Sequence, residues 1–340
     1  MSLTSYIRAM PKAELHVHLE GSIRPETLLA LAQRNGRALP AGSVEELRAW
    51  YAFTGFPHFA EIYRTVVQCL RTADDIELIA REFLAGQSAQ NILHTEATYT
   101  AYFQWLYNGI PFPEQLAAIS RARKWARDDL GVSMTLTIDI PREIPAEEGP
   151  KIADWAIAGM ADGVTALGLG GPEQGHPPEK FKEAFERARA AGLARVPHAG
   201  ETMGPESIWG ALRCLHADRI GHGVRCLEDP ALVRELRERR IPLEVCPTSN
   251  VCLGGVRSWS EHPLPRLLSE GLYVTLNSDD PPMFGTTLTD EYARAAATFG
   301  LRREALEGLA LNAVRASLLG PQERAALEDT FRAQLAGLSA

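Results

Sequence analysis

The sequence predicts one α/β domain that folds as a (β/α)8 barrel. Eight short apolar runs, many of them rich in β-branched residues, are separated by stretches with apolar residues at helical spacing. Strands and helices that alternate through short connections form parallel sheets, and eight such units favour a closed barrel. An open, doubly wound sheet is the alternative, but no G-x-G-x-x-G turn follows the first run.

The eight runs give the predicted strands in chain order. They cover residues 13–19, 91–99, 132–140, 164–171, 193–201, 219–224, 241–247 and 272–280. The intervals between them are typical of amphipathic helices, and the clearest of these helices are predicted at 178–192, 207–217 and 230–240.

Two segments are longer than the repeat requires. Residues 22–90 hold several helical stretches after the first strand, and we expect a helical lid insertion over the barrel mouth. Residues 301–340 are rich in Ala, Leu, Glu and Arg and predict closing helices at the C-terminal end. Residues 1–340 are therefore expected to form a single domain, which is within the size range of such barrels.

Composition excludes several kinds of partner. The net charge is −8 and no Lys/Arg cluster is present, which argues against nucleic acid and favours a small-molecule substrate. No apolar run is long enough to cross a membrane, and the start lacks a signal-peptide core. Five scattered cysteines favour reduced thiols. We expect a cytoplasmic protein, and assembly as a homo-oligomer stays open.

The first strand carries two histidines with the spacing of metal ligands. In "AELHVHLEGS", His16 and His18 project to the same face of the strand, because side chains alternate. His198 follows the fifth strand, and Asp279 follows the eighth. Active sites of (β/α)8 barrels lie at the carboxyl ends of the strands, where these four side chains would meet.

Three imidazoles and one carboxylate suit a borderline metal ion. We expect His16, His18, His198 and Asp279 to bind one Zn²⁺ per chain, although iron, cobalt or manganese accept the same ligands. A bound metal lowers the pKa of water and so supplies hydroxide near neutral pH. Each residue alone also fits a packed histidine, a turn or a helix cap; their joint placement at strand ends is what favours a site.

Several motifs in order resemble the adenosine deaminase family of the amidohydrolase superfamily. They are "PKAELHVHLEGS", "HAGE", "RIGHGV", "EVCPTSN" and "LNSDDPPMFGTTL", and the resemblance spans roughly residues 10–295. It implies a (β/α)8 barrel, one zinc ion, and hydrolytic replacement of an aromatic amino group by oxygen.

The resemblance also implies catalytic roles. Attack of hydroxide on purine C6 becomes easier if N1 is protonated, and Glu201 is the implied acid, which requires a raised pKa. His222 is implied to orient the attacking hydroxide. Asp279 is implied to accept a hydrogen bond from it while also binding the metal. As ordinary structure, Glu201 would be a carboxylate at a helix start.

Further residues are implied to contact the substrate. Asp280 would meet purine N7, the backbone N–H of Gly171 would meet N3, and His18 would lie beside the substrate. Glu20 stands where many adenosine-acting members carry Asp for the ribose, so it departs from that pattern. Two aromatic residues, Phe56 and Phe59, could cap the pocket near the sugar, although ordinary packing of that helix is the stronger explanation.

The leading prediction for function is deamination of adenosine, and of 2′-deoxyadenosine, to inosine and ammonia. Adenine deaminase and a deaminase of another 6-aminopurine nucleoside such as aminodeoxyfutalosine are the alternatives. Gly221 in "RIGHGV" and the "DDPPMFGTTLTDEY" segment favour a nucleoside, because the adenine-acting group tends to have Asp at the first position. A non-catalytic barrel would lack a ligand or the acid. A two-metal hydrolase would need a lysine after strand four, where Gly170 and Gly171 stand instead.

Overall fold

Eight parallel strands form a single barrel in the computed structural model, which describes residues 1–339. The strands are β1 Lys12–His18, β2 Ile92–Tyr99, β3 Ser133–Pro141, β4 Val164–Gly170, β5 Ala194–Ala199, β6 Ile220–His222, β7 Pro242–Val245 and β8 Tyr273–Leu276. They are hydrogen-bonded in chain order, so the predicted (β/α)8 barrel is confirmed, and every predicted run overlaps one strand.

Side chains close the seam between β8 and β1. The only ladder contact there is a parallel bridge between Val17 and Asp279, among the residues that the structure describes. Next to this bridge, the side-chain amide oxygen of Asn277, Oδ1, accepts hydrogen bonds from the backbone N–H groups of Leu15 (2.9 Å) and His16 (3.2 Å). Seam closure therefore depends on a buried amide and fixes Asp279 directly beside the histidines of β1.

Helices alternate with the strands. They are α1 Leu3–Ala9, α2 Pro25–Arg34, α3 Val44–Trp50, α4 Phe56–Val67, α5 Ala73–Ala89, α6 Ala101–Asn108, α7 Phe112–Trp125, α8 Gly149–Ala158, α9 Lys182–Ala191, α10 Pro205–Cys214, α11 Pro230–Glu238, α12 Pro247–Cys252, α13 Leu264–Ser269, α14 Pro281–Phe284, α15 Leu288–Phe299, α16 Arg303–Ala316 and α17 Pro321–Ser339. The helix predicted at 178–192 begins as a 3-10 turn, Pro178–Phe181, before α9.

The segment between β1 and β2 has two parts. Helix α4 packs against α6 and against the 3-10 turn Glu20–Ser22 that follows β1, so it lies at the carboxyl ends of the strands. Helix α5 instead packs against β2 and α7 and belongs to the outer ring. Helix α16 contacts β8 and β1 and covers the seam from outside. No helix among residues 1–339 is long and apolar enough to span a bilayer.

A network of buried, charged side chains spans the barrel interior below the carboxyl ends of the strands. The guanidinium of Arg219, which directly precedes β6, contacts Glu96 on β2 (2.6 Å) and Glu244 on β7 (2.6 Å), and all three residues are at most 1% exposed. Arg219 also donates to the carbonyl of Ala316 at the end of α16 (2.8 Å). Buried charges require such pairing, because removing one partner leaves the other without compensation.

We expect Asn277→Ala to destabilise the barrel. The substitution leaves two buried N–H groups without their acceptor, and each such group costs about 1–3 kcal/mol, so the free energy of unfolding should fall by roughly 2–4 kcal/mol. Chemical denaturation measures it. Asn312→Ala is the control, since it removes one donor to the Val274 carbonyl and should cost only about 1 kcal/mol. Equal losses in both variants would contradict this account of the seam.

Candidate active site

The structure brings the four predicted metal ligands together. One ligand atom from each of His16, His18, His198 and Asp279 lies within 4.8 Å of all the others. Asp279 Oδ1 is 3.2 Å from Nε2 of His16 and 3.2 Å from Nε2 of His18. The Nε2 atoms of His18 and His198 are 3.2 Å apart. The β1 residues, the end of β5 and the seam after β8 thus converge on one point.

The donor atoms of this cluster fit a divalent cation. His16 Nε2 is buried with no hydrogen-bond partner among the described residues, and it points at Asp279. Imidazole nitrogens and a carboxylate oxygen at such short separations direct several lone pairs into the same small space. A bound cation would stabilise this arrangement by accepting those lone pairs. Three nitrogens and one oxygen also match the donor types of zinc sites.

A buried carboxylate sets the orientation of His16. Glu244 Oε2 lies 2.9 Å from His16 Nδ1, so the Nδ1–H group donates to it and Nε2 is left to face the cluster. Glu244 Oε1 in turn contacts Arg219, which is itself paired with Glu96. The ligand is therefore held by a chain of charges that extends across the barrel interior.

His222 is fixed in one tautomer. Asn250 Nδ2 donates to His222 Nδ1 (3.1 Å), and Asn250 Oδ1 accepts from Nε2 of the buried His262 (3.2 Å). The proton of neutral His222 is then on Nε2, which faces Glu201 Oε2 (3.7 Å) and Asp279 Oδ2 (3.9 Å). Burial lowers the pKa of His222 to about 3, so the ring is neutral near pH 7.

Glu201 has the protonation state that a general acid needs. Burial, together with the negative charges of Asp279 and Glu173, raises the pKa of Glu201 well above its usual range. Glu201 lines the cavity beside His222, and the residue is 3% exposed. It can therefore hold a proton near neutral pH and donate it to a bound base.

The adjacent carboxylates of Asp279 and Asp280 differ in charge. Histidine neighbours keep the pKa of Asp279 well below its usual value despite burial. Burial and the charge of Asp279 instead raise the pKa of Asp280 well above its usual value. Asp279 adopts a left-handed backbone (φ 67°), which turns the two side chains away from the regular strand. Gly21 allows the close approach, since a Cβ there would lie 1.6 Å from Asp280 Oδ1.

One cavity opens at this cluster. It encloses about 600 Å³ of unfilled space, counting its mouth. Its base includes His18, His198, Glu201, His222 and the two aspartates. Its walls include Gly171 (φ +96°), a backbone geometry that favours glycine. Its outer part is lined by residues of α4 and α6 and by the residue that follows α12. They are Phe56, Phe59, Ala60, Tyr63, Arg64, Phe103 and Leu253.

Glu20 lies behind the cavity wall rather than in it. It is fully buried, its Oε1 accepts the backbone N–H of Thr100 (3.1 Å), and its Oε2 accepts the hydroxyl of Tyr63 (3.3 Å). Tyr63 is the residue that lines the cavity at this point. The sugar contact of Glu20 stays a prediction, and the structure shows a support for Tyr63 and Thr100.

Sequence reasoning missed Asp139. This carboxylate ends β3, lines the cavity, and is 3% exposed, and its Oδ1 has no hydrogen-bond partner among the described residues. Burial raises its pKa to about 7. Two glycines of β4 make room for it: a Cβ on Gly168 or Gly170 would lie 2.5 or 2.3 Å from its oxygens. The available signal was one acidic residue in the otherwise apolar "TIDIP".

The fold and these side chains define a barrel enzyme of the metal-dependent hydrolase class. The adenosine deaminase family model matches residues 11–334, and the chain belongs to that family.

Relatives within the family carry different substrate names. The chain is 44% identical over 336 residues to an aminodeoxyfutalosine deaminase of Streptomyces avermitilis, covering 97% of this chain and 94% of that protein. It is 40% identical over 314 residues to an adenine deaminase of Pseudomonas entomophila, covering 92% of this chain and 99% of that protein. These names correspond to the alternatives to adenosine.

Solved structures of the family superpose over nearly the whole chain. An adenine deaminase of Arthrobacter aurescens gives a TM-score of 0.91 at 35% identity and covers 95% of this chain and 98% of that one. An amidohydrolase of Burkholderia ambifaria with bound zinc gives 0.92 at 29% identity and covers 100% and 94%. Together with the four-residue cluster, the zinc in that relative supports a divalent metal in this site.

We expect Glu244→Gln to weaken metal binding by roughly 10- to 100-fold, because an outer residue that orients a metal-binding histidine affects affinity by that amount. The glutamine keeps the size but cannot accept from both His16 and Arg219. Competition with a chelator measures the affinity. Glu291→Gln is the matched control: Glu291 is a buried carboxylate that bonds Thr248 and Thr286 instead. Unchanged affinity in Glu244→Gln would contradict the assignment.

Proposed function

We propose that the protein hydrolytically deaminates a 6-aminopurine nucleoside that carries a bulky 5′ substituent, with aminodeoxyfutalosine as the first candidate. The observation that carries the proposal is a cavity with two chemically distinct parts. Its base holds a proton-bearing acid and a metal-binding cluster, and its outer part is lined mainly by aromatic and aliphatic side chains.

The base of the cavity supports deamination. A divalent cation in the cluster would activate water for attack at the carbon that bears the amino group. Glu201, which holds a proton, donates it to the ring nitrogen next to that carbon and so prevents charge from building on the ring. Asp280, also protonated, donates to a second ring nitrogen, and neutral His222 directs its Nε2–H toward the reacting side. Two acids aimed at one ring favour an aromatic base that accepts hydrogen bonds at two positions.

The outer part supports a large substituent. Phe56, Phe59 and Phe103 present ring surface, and Arg64 stands at the rim, where its Nη1 is 3.2 Å from Glu143 Oε1. Aminodeoxyfutalosine is an adenine nucleoside whose 5′ chain carries an aryl group. An aryl group gains free energy from burial against aromatic walls.

Adenine is the second candidate. It is favoured by the adenine deaminases of Pseudomonas entomophila and Arthrobacter aurescens, which match this chain at 40% and 35% identity. Adenosine, the leading expectation from sequence, has less support, because the relatives named above carry the other two names.

A panel of substrates tests the proposal. We expect kcat/KM for deamination to be highest for aminodeoxyfutalosine and at least tenfold lower for adenosine, 2′-deoxyadenosine and adenine, since burial of an aryl group contributes more than the 1.4 kcal/mol that corresponds to tenfold. Ammonia release and metal content are measured on the same sample. A preference for adenine would contradict the first candidate and support the second.

Phe56→Ala tests the outer part of the cavity. We expect KM for aminodeoxyfutalosine to rise about tenfold from the lost ring contact, while kcat/KM for adenine stays within about twofold. Leu106→Ala is the control, because Leu106 is a large exposed side chain (48%) on the neighbouring helix α6 and does not line the cavity. An equal effect of Phe56→Ala on both substrates would mean that the ring does not contact the substituent.

A further inference from the structure

A buried carboxylate outside the cavity binds the backbone of the segment that carries Glu201. Glu173 follows β4 and is 4% exposed. Its Oε2 accepts the N–H of Gly200 (3.0 Å), and its Oε1 accepts the N–H groups of Glu201 (2.8 Å) and Thr202 (2.9 Å). Three consecutive amides therefore converge on one side chain, which comes from a neighbouring strand of the barrel.

The local backbone is shaped for this contact. Gly200 has φ +69°, and a left-handed residue in such a turn directs successive N–H groups into one concave anion site. Glycine favours this conformation, and a Cβ at Gly200 would also lie 2.4 Å from Ile208 Cδ1. The sequence "HAGE" thus encodes a small anion-binding turn, and Glu173 supplies the anion.

A second buried residue anchors both segments. Arg142, which follows β3 and is fully buried, donates through Nη2 to the carbonyl of His198 and through Nη1 to the carbonyl of His176 (2.7 Å). It therefore links the start of the Glu201 segment to the loop that carries Glu173. Charge-assisted bonds of this kind are stronger than neutral ones, so the two segments hold each other in register.

We propose that Glu173 is a positioning residue that fixes the direction in which the Glu201 side chain enters the cavity, by binding the amides of residues 200–202. Glu173 does not line the cavity, so it acts through Glu201 and not on the substrate. Its negative charge also contributes to the raised pKa of Glu201. The inference rests on the acid role of Glu201 in the proposed deamination.

Glu173→Gln is the principal test. A glutamine keeps one acceptor oxygen and turns its amide against at least one backbone N–H. In hydrogen–deuterium exchange of the metal-loaded protein, we expect faster exchange in the peptide covering residues 199–204 and unchanged exchange in β1, β7 and β8. With whichever 6-aminopurine the wild type converts, kcat should fall about 100-fold and KM change less than threefold, since a small displacement of a reacting group costs about that much in rate. Metal content should stay at the wild-type level.

Glu179→Gln is the matched control, because Glu179 is an exposed carboxylate in the same connection between β4 and α9 and bonds no amide of residues 200–202. Wild-type exchange at 199–204 in Glu173→Gln, a rise in KM with unchanged kcat, or a kcat no lower than that of Glu179→Gln would each overturn the proposal.

Two further arms keep the test decisive. If Glu173→Gln does not fold, Glu173→Asp carries the same measurements, because it keeps the charge and shortens the reach by one methylene; wild-type behaviour of this variant would then overturn the proposal. The exchange measurement uses no substrate, so it can support positioning of the segment even if the wild type converts none of the purines tested, an outcome that counts against the proposed function alone.

Discussion

The seam between β8 and β1 is the constraint on which the site depends. Strands of a barrel close by backbone ladders, but here the described residues join β8 to β1 through one bridge and through the buried side chains of Asn277 and Glu14. Asp279 forms that bridge with a left-handed backbone, and this places its carboxylate against two imidazoles from the adjacent strand.

Buried charge is tolerated here because each group has a defined partner or a defined proton. Glu244 and Glu96 are both paired with Arg219, whereas burial raises the pKa of Asp280 and of Glu201, so these two avoid the cost of a buried charge by holding protons. The same burial that would destabilise a carboxylate thus produces two hydrogen-bond donors next to a metal-binding cluster. The raised pKa values of these two carboxyl groups are a consequence of how the barrel packs.

Periodicity predicted the barrel, and strand ends predicted the metal ligands, because both depend on local pattern and on the known geometry of parallel sheets. The motifs also pointed to Glu201, His222 and Asp280, and the structure places all three in the lining of the cavity. What the sequence could not give were contacts between segments far apart in the chain. Asp139 could be seen as a polar residue in an apolar strand, but its glycine-lined slot on β4 exists only once β3 and β4 pair. The contact between Glu20 and the hydroxyl of Tyr63, which lines the cavity, could likewise not be seen in the sequence, and the sugar contact of Glu20 stays a prediction.

The groups proposed to react and the residues of the outer cavity wall lie on different elements of the barrel mouth. The groups proposed to react come from β1, the end of β5, β6 and the seam, and buried residues from other elements hold them: Glu244 bonds His16, Asn250 bonds His222, and Glu173 binds the Glu201 segment. The outer walls come largely from α4 and α6, whose side chains contact the cavity with few buried ionic bonds behind them. Substitutions in these two helices can change the shape of the cavity without displacing the reacting groups. With the reacting groups and the outer walls on different elements, members of one family could keep the same reaction while they bear different substrate names.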